Sequence, residues 1–134
     1  MTVRKNSLGK IERGIINAIR SLDFGEEDKD GFLSGVGIVR DGIMRVYNGL
    51  GEVTKELSRS CEEFSGNKDT LVVTYDGGMF WDVMDGSYGW SLHDKFMEEV
   101  DKVLGEYGLY IEPINSWSFT LWDDGSETVK KYIS

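Results

Sequence analysis

The chain has 134 residues, 40% of them hydrophobic, and carries 15 basic against 24 acidic side chains for a net charge of −9. That length fits one domain over 1–134, and four Trp, six Tyr and six Phe supply core material that disordered chains lack. The acid excess argues against direct nucleic-acid binding, which needs a basic footprint, and the lone Cys61 excludes an internal disulfide.

With no apolar leader behind the Met-Thr-Val-Arg-Lys start, and no apolar run near the roughly 18 residues that cross a bilayer, the expectation is a cytoplasmic protein without membrane contact. The charge is uneven. Residues 1–20 hold Arg4, Lys5, Lys10, Arg13 and Arg20 against Glu12 alone, net +4, which leaves −13 for residues 21–134.

From Leu8 to Leu22, apolar residues recur at three- and four-residue steps, which predicts a helix with Ser7 as N-cap. Lys10, Arg13, Asn17 and Arg20 fall on its opposite, solvated face. Residues 23–35 read as an acidic loop. Val36, Val39, Ile43, Val46, Leu50, Val53, Leu57, Cys61 and Phe64 keep a near-heptad step. This predicts a long helix, or two in line with a break near Asn48–Gly51. Arg40-Asp41-Gly42 between apolar runs is also a β-hairpin signal for 36–47. On either reading 52–64 is helical.

Leu71–Tyr75 is β-branched and aromatic, a strand, and after the turn Asp76-Gly77-Gly78 residues 79–83 return as a second strand. Ser91 with Asp94 three residues on predicts a helix start. Leu92, Phe96, Val100, Val103 and Tyr107 line its buried face, and Gly105 or Gly108 ends it. Leu109–Ile111 is a short strand, Pro113-Ile114-Asn115 a turn, and Ser116–Leu121 alternates so that Trp117, Phe119 and Leu121 share a face. The expected fold is α+β: N-terminal helices packed with a C-terminal β-β-α-β-β antiparallel sheet.

Four features bear on function. The loop from Glu26 to Ser34 resembles part of an EF-hand calcium loop, with Glu26, Asp28 and Asp30 at positions 1, 3 and 5, Gly31 at 6 and Leu33 at 8. It departs from that pattern at position 12, where Gly37 replaces the bidentate Glu. The resemblance implies a calcium-responsive module, whereas the bare acidic turn implies no cofactor. His93 is the only histidine, with no nucleophile motif beside it, and one His with one Cys is too few for a zinc site.

Tyr88 and Trp90, in a Gly-rich loop, are candidate anchors for a protein partner. Asp94, Glu98 and Asp101, spaced i, i+4, i+7, form a negative stripe on the same predicted helix. Together they predict a small acidic binding module, of the compositional style of immunity proteins and phage-encoded inhibitors, that docks on a protein with a basic surface. The alternatives are the calcium module and an enzyme whose acid pair spacing alone does not reveal.

Overall fold

The computed structural model describes residues 2–22, 31–76 and 78–133. Helix α1, Lys5–Arg20, buries Leu8, Ile11, Ile15, Ile16, Ala18 and Ile19. It starts two residues before Ser7, after an extended Arg4 that makes no side-chain cap bond, so Ser7 is a first-turn residue and not the cap.

Residues 37–58 build three strands rather than a long helix. Strands β1, Gly37–Arg40, and β2, Ile43–Tyr47, pair antiparallel with Arg40 opposite Ile43. Asp41 at φ 53° and Gly42 at φ 79° connect them, the left-handed pair that a two-residue turn between twisted strands requires. The helix expected over 36–47 is therefore wrong, and the hairpin reading is the one observed. The cause is burial. Val36, Ile38 and Val39 are all fully buried because β1 is covered on both faces, which erases the alternation that marks a half-buried strand.

Residues 52–64 are not helical either: Val53–Ser58 is strand β3, and only Cys61–Phe64 coils, as a single 3-10 turn. β3 is an exposed edge strand, so its few apolar residues reflect an edge position and not a helix face.

Strand β4, Val72–Thr74, is buried throughout. Residues 79–83 are a helix, not a returning strand: α2, Met79–Met84, buries Phe80 and Val83 one turn apart. Helix α3, Trp90–Gly105, begins after Gly89 at φ 89° without a side-chain cap, so the expected Ser91 cap is absent. Strand β5, Leu109–Asn115, runs through the expected turn at Pro113 with a register slip between Pro113 and Asn115. Strand β6, Ser118–Asp123, follows a tight turn containing Trp117. Phe119 and Leu121 enter the core, but Trp117 sits edge-on to Phe64, 6.4 Å away.

The six strands form one sheet in the order β3-β2-β1-β4-β6-β5, every neighbouring pair antiparallel. The α+β class holds, but the sheet draws three strands from the first half of the chain, and the C-terminal half runs β-α-α-β-β. α1 and α3 pack side by side, close enough that a Cβ on Gly14 would overlap Val103. The main core joins these helices to Ile38, Val73, Phe119 and Leu121. On the other face of the sheet, Val39, Val72 and Cys61 form a smaller cluster with Met44, Phe64 and Ile114. Val3 pairs with Ile133 in an isolated bridge, so the two ends of the described chain meet.

Candidate functional site

Helix α3 turns its buried face, Phe96, Val100 and Leu104, to the sheet. Its exposed surface carries Trp90, Asp94, Glu98 and Asp101, spaced i, i+4, i+8 and i+11, which one helical stripe accommodates. Trp90 is 61% exposed, the most exposed aromatic residue among those described. Its ring lies over Gly86, where a Cβ would come within 2.7 Å of it, and edge-on to His93 at 5.2 Å. Glycine at 86 thus serves both a φ of 81° and the close approach of the indole.

The stripe is only partly neutralised. Lys102 reaches Glu98 at 3.9 Å and Glu99 at 3.4 Å, while Lys95 donates to the Ser21 carbonyl. Asp101 has no ion pair among the described residues, and Asp94 meets only His93, at 3.5 Å. Tyr88 is part of a different contact: it packs edge-on to Phe32 at 5.5 Å, with 41% of its surface exposed. The structure thus brings Trp90 and the carboxylates onto one helix and seats Tyr88, expected beside Trp90 as an anchor, against the core ring of Phe32.

A second surface was not anticipated. The solvated face expected for α1 is one wall of an open cleft of about 630 Å³. Its other wall is made by Arg40, Asp41, Tyr47, Gly51 and Val53. At its floor Glu12 is buried, accepting a hydrogen bond from the Tyr47 phenol at 2.9 Å and one from Arg40 Nε at 3.3 Å. Burial, and then the neighbouring Glu12 carboxylate, push the Tyr47 phenol far above its ordinary value, so it stays a donor. Arg40 also binds Asp41 at 2.9 Å. The charged lining is Lys5, Lys10, Arg13, Arg20 and Arg40 against Glu12 and Asp41, net +3 in a chain of −9. The signal available in the sequence was the +4 balance of residues 1–20; the wall that makes it concave comes from the hairpin over 36–47, read as either helix or hairpin, and from β3, read as helix.

Glu26, Asp28 and Asp30 lie outside the described residues. Of that loop the structure places Gly31 at φ 59° and Leu33 fully buried. Among the described residues no group of three His, Cys, Asp or Glu is arranged to hold a metal ion, and no helix is long and apolar enough to cross a membrane. No protein-family model, curated protein or solved structure matches the chain.

Proposed function

We propose that this protein is a binding module that docks on a basic surface of a larger protein through the outer face of α3, and acts by occupying that surface as an inhibitor or immunity protein does. The observation that carries this reading is the exposed Trp90 in line with Asp94, Glu98 and Asp101 on one helix face. An exposed indole offers a large rigid anchor, and charges around it steer the encounter. Since Trp90 already rests on Gly86 and His93, little side-chain freedom is lost when its outer face is covered.

The test is capture of partners from source cells with the wild-type chain and with a variant carrying Trp90→Ala, followed by kinetics on the purified complex. Association should slow steeply with added salt and in the triple variant Asp94→Lys, Glu98→Lys, Asp101→Lys. Trp90→Ala should lower affinity about thirtyfold, roughly 2 kcal/mol. Association that ignores salt and both variants would remove α3 as the docking face.

A further inference from the structure

The cleft beside α1 lies on the flank turned away from α3. Helix α1 meets Val103 through Gly14, and Glu12 and Ile16, which line the cleft, sit about half a turn round the helix from it. We propose that this cleft is a separate binding site that takes an acidic polypeptide segment.

Charge comes first. Arg40 is satisfied by Glu12 and Asp41. Lys5, Lys10, Arg13 and Arg20 line one concavity and have no carboxylate within 4.0 Å among the described residues. A concave wall of one sign focuses field and raises the local concentration of the opposite charge, even where the molecule as a whole is negative.

Shape selects the ligand. The cations are strung along a helix of 16 residues, about 24 Å, and do not converge on one point. A single small anion would therefore meet one or two of them, whereas an extended chain of carboxylates meets all four. The floor and rim also present apolar surface: Ile16 and Val53 line the cleft, and Leu50 stands 64% exposed near the same hairpin end. β3 is the sheet edge at this flank, and its outer backbone groups can pair with a peptide.

Nucleic acid fits less well. Among the described residues the only aromatic ring in the lining, Tyr47, is buried and bonded to Glu12, so they offer bases no stacking platform.

The probe is fluorescein-labelled octaglutamate, about 26 Å when extended, titrated by anisotropy near 10 mM salt, where screening reaches about 30 Å. Wild type and the Trp90→Ala variant should bind it alike. The double variant Arg13→Glu, Arg20→Glu should bind at least about tenfold more weakly. Both arginines are exposed, so melting should show the fold intact, and Arg13→Gln with Arg20→Gln gives a milder second variant with an intermediate loss. Absence of octaglutamate binding to the wild type, or equal binding by the variants, overturns the proposal. Tighter binding of an octathymidylate would replace the peptide with nucleic acid. Dimers in sedimentation that dissociate in the arginine variants would make the occupant a second copy of this chain.

Discussion

The Tyr47 hydroxyl donates to Glu12 Oε2 at 2.9 Å, thirty-five residues away, and ties the middle of α1 to the end of β2. This buried bond fixes the spacing of the two walls of the cleft. Tyr47→Phe removes the donor and leaves the carboxylate with Arg40 alone, which should destabilise the fold by about 1.5–3 kcal/mol, the worth of a charge-assisted bond. Glu12→Ala should cost about 3–5 kcal/mol, since it leaves the phenol unpaired and Arg40 held by Asp41 only. The double variant should lose less than the sum. Urea midpoints of the four proteins close the cycle, and strict additivity would mean the bond contributes nothing.

Alkaline pH should unfold the protein through buried groups that resist ionisation. Burial holds the Tyr75 phenol up at about 12, against 10.0 in an exposed chain. Burial, and then Asp41, raise the Cys61 thiol to about 11 from 9.0. Folded values above unfolded ones mean that this stability is complete at pH below the unfolded values and is lost as pH rises through the folded ones. The urea midpoint should hold to about pH 9, then fall from pH 9 to 12, and Tyr75→Phe should flatten the part above pH 10. A profile that is flat to pH 12 contradicts this.

Cys61 should resist thiol reagents in the native state. It is buried in the smaller cluster, its Sγ lies 3.4 Å from the Val39 carbonyl, and its raised value keeps it a thiol at pH 8. Labelling with an aromatic disulfide should be slow and should accelerate at least about a hundredfold in denaturant. Rapid native labelling would show that the 3-10 turn over Cys61–Phe64 opens readily.

Gly14 decides how closely the two helices approach. Alanine would raise helix propensity by about 1 kcal/mol, yet its methyl would overlap Val103 Cγ1 on α3. Overpacking of a tight contact costs about 1–3 kcal/mol, so Gly14→Ala should destabilise. In a Val103→Ala background the same change should become neutral or stabilising. Thermal melts of the four combinations distinguish the two signs.

Trp90→Ala should leave the fold nearly unchanged, within about 1 kcal/mol, because the ring is mostly in water and rests on Gly86 and His93 at the surface. Phe96→Ala, which empties a fully buried site against Phe80 and Phe119, should cost about 3–5 kcal/mol. Melting temperatures of the pair test whether Trp90 is a surface residue; equal losses would return it to the core.

What the amino-acid order determined by itself was local: the α1 stripe from Leu8 to Leu22, the α3 face through Phe96 and Val100, the strand at Leu71–Tyr75, and the row of Asp94, Glu98 and Asp101. In the two helices one face is buried and one solvated, so the period of burial is written in the residue types, while Leu71–Tyr75, buried throughout, was legible from its β-branched and aromatic composition. Where both faces are covered, as at Ile38 and Val39, or where nearly all is exposed, as along β3, that period vanishes and tertiary packing alone chose strand over helix. The same holds for α2, where Phe80 and Val83 dock beneath Phe96 and override a β-like composition. The cleft belongs wholly to this second kind: Arg13 and Arg20 were legible as a basic face, but only the hairpin folding back to bring Tyr47 onto Glu12 made that face one side of a site.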